Sequence, residues 1–124
     1  MKILVIGASG FLGNICFDFY SQQHTTLGVD QVTYSKKDII CDVDFSVTKK
    51  LIAESDFDLI INCAGSSDIS KSFLDPEKDF DLNTRLVEKI LVELDRNSPS
   101  TKLINLSSAA VYGNPVSLPV KETD

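Results

Sequence analysis

Ile3-Leu4-Val5-Ile6-Gly7-Ala8-Ser9-Gly10-Phe11-Leu12-Gly13 passes from an apolar run, through a turn punctuated by glycine, into an amphipathic segment that continues to about residue 22. The order is strand, tight turn, helix. Each glycine has its own physical task. Gly7 takes a backbone conformation closed to side chains. Gly10 leaves the backbone open to a pyrophosphate, and Gly13 lets the helix lie close against the strand. Ser9, Phe11 and Leu12 carry the turn into the helix start, where free N–H groups and the positive dipole end favour phosphate. A βα turn that uses glycine for geometry alone is the competing reading. No Gly-Lys-Ser/Thr follows, which excludes the triphosphate loop.

Working outward, residues 11–22 place Phe11, Leu12, Ile15, Cys16, Phe19 and Tyr20 at helical spacing, which predicts one buried face. His24, the single histidine, lies just past that helix and reads as a helix-end residue. A strand falls within residues 25–35 in one of two registers. If it runs from Thr26 to Val29, Asp30 stands at its end, where an acid accepts the hydroxyls of an adenosine ribose and selects NAD. If it runs to Tyr34, then Ser35, Lys36 and Lys37 meet the ribose and favour NADP. A short strand at residues 38–44 ends in acids. Acids there face the crevice where ligands of open α/β sheets bind; the alternative is that Asp44 or Ser46 caps a helix carrying Val47, Leu51 and Ile52. Residues 57–65 read as a central strand buried on both faces. Ala64 and Gly65 at its end leave room for a ligand on the backbone. Residues 66–76 read as loop. A long helix, residues 77–95, presents Leu86, Val87, Ile90, Leu91 and Leu94, with Asn83 on the same stripe. Residues 102–106 form the fifth strand and lead into Ser107 and Ser108.

Alternating strands and helices imply a parallel, doubly wound sheet with right-handed crossovers. At 124 residues and 43% hydrophobic content the chain is one domain with a real core. A net charge of −6 argues against a nucleic-acid partner. Cys16, Cys41 and Cys63 show no metal-ligand spacing and read as buried free thiols of a cytoplasmic protein. No signal peptide opens the sequence, and no apolar run is long enough for a membrane span.

These pieces together resemble the NAD-dependent epimerase/dehydratase group of the extended short-chain dehydrogenase/reductases. The resemblance rests on residues 7–13, Asp42, Asn62-Cys63-Ala64-Gly65, Asp75-Pro76 with Asn83-Thr84, and Ser107-Ser108-Ala109-Ala110-Val111-Tyr112-Gly113. It implies a Rossmann-like sheet of about five strands and a nucleotide-sugar substrate. It also implies hydride exchange with NAD at a sugar carbon, whether in epimerisation, dehydration or reduction. Asp42 and Val43 would contact adenine, Ala64 and Gly65 the nicotinamide ribose side, and Asn83 would match the family's helix asparagine. Ser108 would be the catalytic serine. The family's Tyr-x-x-x-Lys motif has no match, since Tyr20, Tyr34 and Tyr112 each lack a lysine four positions on. The resemblance therefore reads as the N-terminal portion of such an enzyme, inactive by itself. A non-catalytic dinucleotide-binding or sensor module is the alternative. An open sheet edge would also offer a surface for a homodimer.

Overall fold

The computed structural model describes residues 1–32, 36 and 38–123. Its elements are β1 (Lys2–Ile6), α1 (Phe11–Ser21), β2 (Thr25–Asp30), β3 (Ile39–Cys41), α2 (Ser46–Glu54) and β4 (Leu59–Asn62). There follow α3 (Ile69–Leu74), α4 (Pro76–Phe80), a π turn (Asp81–Arg85), α5 (Leu86–Asn97), β5 (Lys102–Asn105) and a 3₁₀ turn (Ala109–Tyr112). The strands form one sheet in the order β3-β2-β1-β4-β5, and every pairing is parallel.

Alternation along the strands builds a core on each face. Leu4, Ile6, Val29 and Ile60 meet Ile52 of α2 and Ile90 and Leu94 of α5. Ile3, Val5, Leu59 and Ile61 meet Phe17 of α1 and Ala8. Burial on both faces makes β1 and β4 continuous apolar runs. The fold is the expected α/β, Rossmann-like sheet. Register aligns the C-terminal ends: Ile6 stands beside Val29 and Asn62, and Asn62 beside Asn105. The chain order reverses direction at β1 and β4, so a crevice opens past their ends.

Several local expectations are corrected. The buried face of α1 is Gly13 and Phe17, flanked by the half-buried Cys16 and Tyr20. Phe11 and Phe19 are 82% and 66% exposed, and Leu12 and Ile15 also face out. The cause is tertiary: a Cβ on Gly13 would lie 2.0 Å from Gly7 O, so only glycine fits where the helix crosses the turn. That contact fixes the rotation of α1. Residues 66–76 contain α3, capped by Asp68, whose side chain accepts from Lys71 N. Hydrogen bonds from Lys71 hold the Asp68 carboxyl below its usual range. The long helix is interrupted by the π turn, and Leu91 faces outward. Cys41 is exposed, while Cys16 and Cys63 are partly buried, and all three thiols are free. His24 does end α1, its N–H donating to Tyr20 O at 2.9 Å. Among the described residues, no helix is long and apolar enough to cross a membrane.

Candidate functional site

The glycine turn is held from below by β2. Gly7 N and Ala8 N both donate to Val29 O, at 2.9 and 3.1 Å. Gly7 sits at φ +77°, and a Cβ there would press on Cys63 and Ala64 backbone at 2.6–2.9 Å. Gly10 caps α1 with no side chain, and the first turn of that helix carries no acid. The helix start therefore presents its positive end to the crevice without a built-in competitor.

β2 ends at Asp30, which the first register requires. One Asp30 oxygen accepts from Ser9 N at 2.9 Å, and the other from Val32 N at 3.3 Å. The carboxylate thus ties the end of β2 to the middle of the glycine turn. Ser9 Oγ is buried and, among the described residues, has no hydrogen-bond partner. A buried hydroxyl without a partner is costly unless a ligand supplies one. Of the residues in the other register, Lys36 donates to Asn14 Oδ1 at 2.7 Å and pairs with Asp18 on α1. Tyr34, Ser35 and Lys37 lie outside the described residues.

A cleft of about 470 Å³ runs over these strand ends. Gly7, Ser9, Gly10, Asp30, Asp42, Val43, Ala64 and Gly65, eight of the residues singled out from the sequence, line it together. Five do not. Phe11 and Leu12 point outward at the start of α1. Gly13 is buried beneath Gly7 and acts through geometry alone. Asn83 reaches over from the π turn: its Oδ1 accepts from Ser66 N at 2.8 Å, and its Nδ2 donates to Ser66 O at 3.2 Å. That amide clamps the loop after β4, which explains a polar residue on the helix stripe. Ser108 is exposed past β5, and its Oγ accepts from Ala110 N at 3.2 Å.

Asp42 has a structural duty that the sequence reading missed. Its Oδ1 accepts from Val47 N at 3.1 Å, and its Oδ2 accepts from Thr48 N at 2.7 Å and Thr48 Oγ at 2.5 Å. It caps α2 from four residues before the helix and fixes the loop bearing Val43. Ser46 N also donates to Asp44 Oδ1 at 3.1 Å, and bonds from Ser46 hold the Asp44 carboxyl below its usual range. Phe45 and Lys89 also line the cleft. Phe45 is at φ +71°, and the Lys89 ammonium lies 5.9 Å from its ring centroid. No sequence signal joins two residues so far apart. Among the described residues, no group of three or more His, Cys, Asp or Glu side chains is placed to hold a metal.

Comparisons with known proteins agree with this geometry. Residues 3–124 match the profile of the NAD dependent epimerase/dehydratase family. The UDP-glucose 4-epimerase of Lacticaseibacillus casei is 26% identical over all of this chain, which spans 40% of that relative's length. The UDP-glucose-4-epimerase of Stenotrophomonas maltophila, solved with NAD and formylated UDP-arabinopyranose, superposes with a TM-score of 0.81 at 25% identity. The match covers 99% of this chain and 41% of that one. The UDP-glucose 4-epimerase of Brucella ovis, solved with NAD, gives a TM-score of 0.85 at 22% identity, covering 99% and 40%.

Proposed function

The chain belongs to the NAD dependent epimerase/dehydratase family, and from that premise we propose that it forms the NAD-holding part of a cytoplasmic enzyme acting on a nucleotide sugar. The observation that carries the reading is the buried Ser9 Oγ, unpartnered among the described residues, inside a glycine turn that Asp30 braces. A pyrophosphate oxygen satisfies that hydroxyl, and the backbone at Gly10 gives it room to approach. Asp30 accepts the ribose hydroxyls, and its charge repels a 2′-phosphate, so NAD is preferred to NADP. Val43, held by the capping of Asp42, takes the adenine side. Ala64 and Gly65 take the nicotinamide ribose side on the backbone clamped by Asn83.

When bound, NAD supplies the acceptor for hydride from a sugar carbon. The share of this chain in that chemistry is positioning: it fixes the dinucleotide at the strand ends and sets Ser108 past β5 to hydrogen-bond a sugar oxygen. Proton movement needs an acid/base group beyond these residues, so the 124 residues bind and do not turn over.

Calorimetric titration tests the reading. NAD is expected to bind, and NADP at least tenfold more weakly. Gly10→Val should abolish binding while the fold is kept, because its Cβ meets only Gly7 O at 3.3 Å. Equal NAD affinity in the variant, or no NAD binding by the parent chain, overturns the proposal.

A further inference from the structure

The cleft over the strand ends is acidic. Asp30, Asp42, Asp44 and Asp81 line it, and among the described residues Lys89 is the one cation that does. Asp42 already takes three donors at the start of α2, and Asp30 holds the glycine turn. A dinucleotide brings more negative charge, so the place of that single cation matters.

Lys89 stands on α5, three residues after Leu86, which also lines the cleft. Its ammonium lies 5.9 Å from the Phe45 ring centroid, within reach of cation–π attraction. Hydrogen bonds from Ser46, with the Lys89 ammonium nearby, hold the Asp44 carboxyl below its usual range. The neighbouring cations are engaged elsewhere: Lys49 pairs with Glu93 at 3.2 Å and Arg85 with Asp81 at 3.1 Å. Among the described residues, no carboxylate closes an ion pair on Lys89.

Phe45 breaks two local rules. Its φ of +71° is a region that bulky side chains rarely enter. It also stands directly before α2 with no side-chain capping bond, where Ser, Thr, Asp or Asn is preferred. Such a residue persists only where its surroundings hold it. Here the ring packs on the core cluster of Ile52 and Ile90 and still lines the cleft, two positions past Val43.

We propose that Phe45 and Lys89 recognise the base of the dinucleotide: the Phe45 ring walls the purine end, and the Lys89 ammonium donates a hydrogen bond to a purine ring nitrogen. The inference deepens the dinucleotide reading and rests on it. A lysine ammonium is a donor only, and adenine offers N3 and N7 as acceptors. The pyrophosphate is served by the glycine turn at the other side of Asp30, so Lys89 acts on the base end of the ligand.

The test titrates the 124-residue chain with NAD by calorimetry, and with AMP and ribose 5-phosphate by amide shifts in NMR. Lys89→Met keeps the stem and removes the donor. NAD and AMP should each bind about tenfold more weakly, as loss of a hydrogen bond to a charged group implies, and ribose 5-phosphate should be unaffected. Lys89→Arg should restore most of the affinity. Lys50→Met removes the same charge from a lysine that is 71% exposed and outside the cleft, and it should change nothing. Unweakened NAD binding by Lys89→Met overturns the inference alone. So does an equal loss in Lys50→Met, which would reduce Lys89 to its share of net charge. An equal loss for ribose 5-phosphate would move Lys89 to the phosphate and overturn it too, as would a parent chain that binds NAD but not AMP. If the parent chain binds neither, the proposed function and this inference fall together.

Discussion

The end of β4 and the end of β5 are neighbours in one sheet, yet they are built differently. All four residues of β4 are buried, and Asn62 donates to Asn105 Oδ1 at 2.7 Å while its own Oδ1 accepts from Ala64 N at 3.2 Å. β5 is covered through Leu103 on the side of α5, while Ile104 is 47% exposed and Val111 beyond it 70% exposed. The residues proposed to hold the dinucleotide are thus set by a closed network of contacts. The hydroxyl proposed for the sugar oxygen, Ser108, stands on a lightly packed strand end. Within these 124 residues the regions proposed for binding and for reaction thus differ in how densely they are packed.

The sharpest way to break this comparison is Gly13→Ala. An alanine inside a helix is ordinarily worth about 1 kcal/mol over glycine. Here its Cβ would stand 2.0 Å from Gly7 O and 2.7 Å from the carbonyl carbon. The sign should reverse, with a loss on the order of 3 kcal/mol or more in urea denaturation. A stabilised variant would show that α1 does not ride on the turn, and the rigidity assigned to this region would be wrong.

A paired measurement compares the two strands directly. Ile60 of β4 is fully buried, and Ile104 of β5 is 47% exposed. Ile60→Ala should cost about 3 kcal/mol through lost burial and the cavity left behind. Ile104→Ala should cost about 1 kcal/mol or less, since much of that side chain already meets water. Equal losses would remove the contrast.

How far the sequence carries follows from the same contrast. The β1–turn–α1 unit was legible because its geometry is local, set by glycines within a few residues of one another. The faces of β1 and β4 were legible because burial on both sides leaves a continuous apolar run. The orientation of α1 was not, because Phe11, Ile15 and Phe19 obey helical period as well as Cys16 and Tyr20 do. The choice between the two faces is made by the contact of Gly13 with Gly7. α3 escaped because its short span buries no side chain and is held by the Asp68 cap. The π turn left no mark in the pattern of apolar residues, yet it presents the Asn83 amide to Ser66. The Phe45–Lys89 pair depends on α5 crossing the loop before α2, a tertiary fact.

Alkaline pH sharpens the picture on the rigid side. The Cys63 thiol moves from an ordinary 9.0 to about 12 in the fold. The folded chain keeps that proton over a range in which the unfolded chain releases it. The associated stability is therefore full below about 9 and is lost as pH rises toward about 12. Melting temperatures of the parent chain should fall more steeply over that interval than those of Cys63→Ser. Parallel curves would show that the thiol is not held as the packing implies.

The smallest expected effect belongs to Ser108→Ala. The bond from Ala110 N to Ser108 Oγ, 3.2 Å long, caps the 3₁₀ turn at an exposed site. Loss of such a bond at the surface should cost about 0.5 kcal/mol. NAD affinity should not change, because Ser108 stands outside the cleft lined by Gly10, Asp30 and Ala64. This near-silence matters, since a hydroxyl with the proposed role toward a sugar oxygen would act on turnover and leave the dinucleotide alone. If titration instead gave a tenfold weaker affinity, the ends of β4 and β5 would be one coupled unit. The Asn62–Asn105 bond would then be the link to cut next.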